Sequence, residues 1–149
     1  MGIEHLQNLE RIRQLSHEPP SRTEFEGLVL SGQRRLLDAQ NLTLSAESRF
    51  DLAYNAAHSL SLAALRWHGY RSGNRYLVFQ CLAHTVELPN EKWRILDRAH
   101  KKRNLSEYEG VTDFESTLTE SVIRVALEIE RRVIAFGEPL GGWPDLSIA

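Results

Sequence analysis

Phe50, Ala53, Ala57, Leu60, Ala64 and Trp67 recur at alternating steps of three and four. That spacing places all six on one face of an α-helix of about 20 residues, a length no ordinary β-strand reaches. Ser45 stands where an N-cap is needed, and Gly69 marks the end. Three of the six are alanines, so a neighbouring helix can pack against this one at short range. A chain with such a segment near its middle is committed to burying helix against helix.

The flanking segments carry the same period. Ile3, Leu6, Leu9 and Ile12 predict a first helix over residues 2–15, stopped by Pro19-Pro20. Ser21-Arg22-Thr23-Glu24 has the capping-box pattern and opens a second helix reaching Ala39. Its apolar side holds Phe25, Leu28, Val29, Leu36 and Leu37, and Gly27 and Gly32 weaken it or admit a close neighbour. After a turn at Arg71-Ser72-Gly73-Asn74, a fourth helix is expected from Arg75 to Glu87 and a fifth from Glu91 to Glu107. Asp113 can cap a sixth that ends near Phe136, with a seam of Phe114, Leu118, Val122, Val125, Ile129, Val133 and Phe136. No segment alternates like a strand between hairpin turns. The 22 Leu and 12 Ala against 7 Val and 7 Ile point the same way. The expectation is all-α: an antiparallel up-and-down bundle of five to six helices. Residues 1–136 form one helical domain, followed by a Gly- and Pro-containing tail, 137–149, with Trp143 as an anchor on the bundle or on a second subunit.

The formal charge of −2 gives no global basic field, so any nucleic-acid site must be a local patch. The single cysteine, Cys81, excludes an intrachain disulfide and a four-cysteine zinc site. Neither a signal-like N-terminus nor a long apolar run is present, which predicts a cytoplasmic protein with no membrane partner. Phosphate-loop, nucleophile-elbow, HExxH, EF-hand and dinucleotide-fold motifs are absent, as is any ExxH pair for a carboxylate-bridged metal centre. No metal or cofactor is expected.

The densest basic patch is Arg98 to Arg103, with His100, Lys101 and Lys102 inside it. Trp93, Leu96, His100, Arg103 and Glu107 share one face that begins apolar and ends polar. Such a stripe either solvates a helix end or meets partners, because burying those groups unpaired costs several kcal/mol. A second polar line, Asp51, Tyr54, Asn55 and His58, lies opposite the alanine seam of the third helix. It is either a plain solvent face or the surface that meets the basic segment across the bundle. His84 reads as a packed histidine. His68, at a helix C-terminus, reads as one whose positive charge the helix dipole favours.

The stretches DLAYNAAHSLSLAALRWHGYRS, RYLVFQCLAHTV and KKRNLSEYEG together resemble the HEPN superfamily of all-helical domains, over roughly Phe50 to Phe136. The family signature is Arg, a polar residue such as Asn, a short spacer, then His. Arg103 and Asn104 match its start, Tyr108 stands where His would, and no histidine lies downstream. The resemblance implies an RNA- or nucleotide-interacting protein of a toxin–antitoxin or defence setting. That protein is a metal-independent ribonuclease or a degenerate relative of one, with its site completed in a homodimer. Arg103, Asn104 and Tyr108 would be the catalytic positions, with His100, Lys101, Lys102, Glu107, Tyr54, Asn55 and His58 around the substrate. A tyrosine with an ordinary pKa near about 10 is a poor general base at neutral pH. The competing reading is a non-catalytic helical module that pairs with a protein such as a nucleotidyltransferase. A third is a small-ligand pocket lined by Trp67, Tyr54 and Tyr108. Ile123 and Ile134, off the seam of the last helix, widen its apolar surface and favour a second copy as partner.

Overall fold

A computed structural model describes residues 2–109 and 116–144, with side chains throughout except at 106–109. Its elements are α1 (Gly2–Arg11), β1 (Ser16–His17), α2 (Arg22–Ala39), α3 (Ala46–Trp67), β2 (Tyr70–Arg71), α4 (Arg75–Gln80), α5 (Leu82–Thr85), α6 (Asn90–Glu109) and α7 (Ser116–Ile134). The chain is an all-α bundle, as its periodicity demands.

The caps form where the sequence places them. Ser21 accepts a hydrogen bond from the Glu24 amide at 3.2 Å, and Ser45 accepts from the Ser48 amide at 3.1 Å. The main core is built on α3, where Ala53, Tyr54, Ala56, Ala57, Leu60, Ala63 and Ala64 are fully buried among α2, α6 and α7. Helices α2 and α3 run antiparallel, since Ser59 donates to the Leu28 carbonyl at 2.8 Å and Arg49 to the Ala39 carbonyl at 2.9 Å. Their approach is close at Gly32, where a Cβ would sit 2.6 Å from Cγ of Leu60. Helix α7 runs parallel to α3, tied by Arg49–Glu120 at one end and by Trp67 on Phe136 at the other. The start of α6 meets the later half of α7 through Lys92–Glu128 at 2.7 Å, so α2, α3, α6 and α7 alternate up and down. The α7 seam of Leu118, Val122, Val125, Ile129 and Val133 is buried, and Phe136 is half-buried. Phe114 and the proposed cap Asp113 lie outside the described residues. Trp143 packs on Phe25 of the bundle, with ring centroids 5.4 Å apart.

A second, smaller core joins Leu6, Leu15, Leu65, Tyr70, Leu77, Val78 and Cys81. Beside it, Arg66, 1% exposed, binds Glu24 at 2.6 Å and Glu18 at 3.2 Å and donates to the carbonyls of Glu18 and Pro19. Arg71 reaches the same two carboxylates. This network clamps the Pro19-Pro20 segment and the start of α2 to the end of α3.

The structure corrects five expectations. The first helix ends at Arg11, not residue 15, because Arg13 turns the chain with a left-handed φ of 62° and the Leu15 amide donates to the Leu9 carbonyl. That turn swings Leu15 into the smaller core and leads to a two-residue antiparallel ladder, Ser16 with Arg71 and His17 with Tyr70, too short to alternate visibly. The fourth helix is interrupted at Cys81 and stops at Thr85. Glu87 turns the chain at φ 55°, and Arg132 donates to the freed carbonyls of Val86 and Glu87. Leu37 is 72% exposed, so it leaves the apolar side of α2. Ile123 is buried within the chain, and of the two off-seam isoleucines only Ile134 faces outward.

Candidate functional site

The two polar lines singled out in the sequence meet. The Tyr54 side chain is fully buried and Asn55 and His58 are half-buried, so the line faces solvent only at Asp51. The Tyr54 hydroxyl lies 3.0 Å from Nδ1 of His100 on α6. The Asn104 amide lies 3.4 Å from Nε2 of the same ring. A neutral imidazole has one donor and one acceptor nitrogen, and contacts on both sides hold the ring's orientation. The Arg103 guanidinium carbon sits 5.2 Å from the centre of the Tyr54 ring, within the range of a cation–π contact.

A second arginine, absent from the sequence expectation, completes the group. Arg75, the first residue of α4, lies 5.5 Å from the centre of the same ring and donates to Oδ1 of Asn55 at 3.1 Å. Asn55 is held in turn by its own donation to the Asp51 carbonyl at 2.9 Å. None of the ion pairs among the described residues involves Arg75. One sequence signal does mark Arg75. It follows the N-cap Asn74, in the first helical turn where the backbone dipole disfavours a cation, so a tertiary purpose is implied.

His58 joins from α3, its ring edge-on to Phe79 at 5.9 Å. Burial, then Arg75, Arg103 and His100, push its pKa down to about 4. Burial also lowers His100, helped by Arg103, Arg75 and Lys101 and opposed by Asp97. Both rings are therefore neutral at pH 7, and each sits in a field made positive by the two arginines. Such a field suits an anion, since every ligand charge placed there relieves repulsion among the cations.

The remaining site expectations fall apart spatially. Lys101 is 71% exposed and pairs with Asp97 at 3.2 Å. Lys102 is half-buried on the same helix. The side chains of Glu107 and Tyr108 lie outside the described residues, although α6 runs through both positions. Trp67 is 13 residues from Tyr54, about 20 Å along the helix. It packs on Phe136 and donates to the Gly137 carbonyl at 3.0 Å, so no pocket combines it with Tyr54. His68 also departs from expectation. Burial lowers its pKa although its Nε2 donates to the Thr85 carbonyl at 3.0 Å, so desolvation outweighs that hydrogen bond. His84 is packed as expected, stacked on His5 with centroids 4.4 Å apart.

Among the described residues no group of three or more His, Cys, Asp or Glu could hold a metal ion. No described helix is long and apolar enough to cross a membrane. The chain matches no family model and no curated protein.

Proposed function

We propose that this chain binds the phosphate of RNA or of a nucleotide at the cluster of Arg75, Arg103, His58 and His100 gathered over Tyr54. One observation carries the reading: Arg75 is oriented by a neutral amide and an aromatic ring, with no carboxylate of the described residues on it, beside a second arginine and two neutral histidines. An arginine held for stability is ordinarily neutralised by an acid, as Arg66 is here. One held ready by uncharged groups keeps its full charge for a ligand. The resemblance to HEPN domains adds Asn104 and Tyr108 beside this cluster and a second copy completing the site. The exposed Leu127 and Ile134 of α7 offer an apolar stripe for that copy.

Fluorescence anisotropy with a labelled single-stranded RNA tests the proposal. Arg75→Ala and Arg103→Ala should each weaken binding about tenfold to a hundredfold, the worth of one charge-assisted hydrogen bond. The helical circular dichroism signal should persist. Arg103→Lys should recover only part, because an ammonium lacks the planar fork. No binding by a folded wild-type protein sinks the proposal. The Tyr108 position favours the second reading, a binding module without cleavage. Intact RNA after long incubation, with binding retained, selects that reading, and Tyr108→His then tests whether cleavage can be gained.

A further inference from the structure

The phosphate cluster continues outward as an unbroken series of aromatic rings. Tyr54 neighbours His100 with centroids 6.3 Å apart, His100 neighbours Tyr76 at 6.3 Å, and Tyr76 meets Trp93 edge-on at 6.3 Å. The inner end is fully buried beneath the arginines, whereas Tyr76 is 38% exposed and Trp93 half-buried. Trp93 is fixed by its Nε1 donation to Oδ1 of Asn90 at 3.0 Å, so Tyr76 rests on a held ring and not on a mobile one. Tyr76 follows Arg75 directly on α4, which places an exposed ring one residue from a guanidinium that no described carboxylate pairs with.

We infer that Tyr76, backed by Trp93, is a stacking platform for an unpaired base whose neighbouring phosphate sits at Arg75 and Arg103, so the ligand is single-stranded nucleic acid. This rests on the phosphate reading above and narrows it. In a duplex both faces of each base are occupied by its neighbours, and a side-chain ring gains a face only when a strand is splayed open. An exposed tyrosine beside a basic cluster supplies what a single strand needs, a π-face for the base and cations for the backbone. A site for phosphate alone would have no use for the ring.

The experiment measures anisotropy with labelled six-nucleotide RNA, the matching DNA, an abasic oligomer of the same backbone and a blunt duplex. Wild type should prefer the base-bearing single strands over the abasic strand by about fivefold to a hundredfold, the worth of one stacked base. It should also prefer single strand over duplex. Tyr76→Ala should erase the preference over the abasic strand while leaving abasic binding unchanged. Tyr76→Phe should preserve it. RNA bound more tightly than DNA adds a 2′-hydroxyl contact to the platform, and equal binding makes it indifferent to the sugar; either result upholds it. Equal affinity for abasic and base-bearing strands, for duplex and single strand, or a preference that survives Tyr76→Ala overturns the platform and leaves the phosphate site standing. Loss of all binding, abasic strand included, removes both.

Discussion

Arg66→Met tests the energetics of the fold at its most committed point. The substitution keeps much of the length and bulk of a side chain that is 1% exposed, and removes its charge and all its donors. Lost are the 2.6 Å pair with Glu24, the 3.2 Å pair with Glu18 and the bonds to the Glu18 and Pro19 carbonyls at 2.9 and 2.8 Å. Deleting one partner of a buried ion pair costs about 3–5 kcal/mol, mostly by stranding the other. Here the stranding is incomplete. Glu24 keeps Arg71, and Glu18 and Pro19 lie where water reaches them. The cost should therefore fall at the lower end, about 3 kcal/mol, equivalent to a Tm drop of about 6–12 °C for a chain of this size. Urea unfolding followed at 222 nm should show a lower midpoint at unchanged slope. Arg66→Met combined with Glu24→Leu should cost less than the two single changes added, because the stranded carboxylate is gone. A loss below about 1 kcal/mol for Arg66→Met, or strict additivity with Glu24→Leu, refutes the clamp.

Acidification should destabilise the chain partly through His58. Its pKa near 4 lies below the usual histidine value, so the unfolded chain binds the extra proton first, and the stability present above about pH 6.5 drains away as pH falls toward 4. Between pH 7 and pH 5 the loss through this one ring is about 2 kcal/mol, and His58→Phe should flatten that part of the profile; an unchanged profile refutes it. Glu24 adds loss at lower pH. Burial works to raise its pKa, but hydrogen bonds from Arg71 and Arg66 outweigh that and hold it below normal, so its contribution fades below about pH 4.5. Gly32→Ala should destabilise by about 1–3 kcal/mol despite the better helix propensity of alanine, because the new methyl meets Leu60; pairing it with Leu60→Ala should recover part of the loss, read by thermal melts.

Helix positions were legible wherever the signal is local. Ser21 and Ser45 act as N-caps because a hydroxyl beside an orphan amide is a property of neighbours in sequence. The burial of Tyr54 and its meeting with His100 were open alternatives, since a polar line on a helix looks the same whether it faces water or a matching polar line. Chain reversals at Arg13 and Glu87 were not legible, because residues that ordinarily avoid positive φ take it there under tertiary packing. Arg66 escaped for a related reason. Its acids come from residues 42 and 48 positions away, and no window of local sequence contains both sides of that contact.

The two cores meet along α3 and α4, and that division has a bearing on motion. Freeing the smaller cluster exposes seven buried apolar side chains, against more than twenty for the larger, so it is the cheaper of the two to open. Leu77 and Val78 anchor α4 in that smaller cluster, and the two residues before them are Arg75 and Tyr76. Phe79 of the same helix stays in the larger core against Tyr54 and His58, so a sub-global opening there would loosen the start of α4, with Arg75 and Tyr76, while α2, α3, α6 and α7 stay folded. The N-terminal arm, remote from the arginines in sequence, would then act as the hinge pin of their geometry. Ligand held between α4 and α6 would register as slowed hydrogen exchange at Leu6 and Leu15, far from any atom it touches.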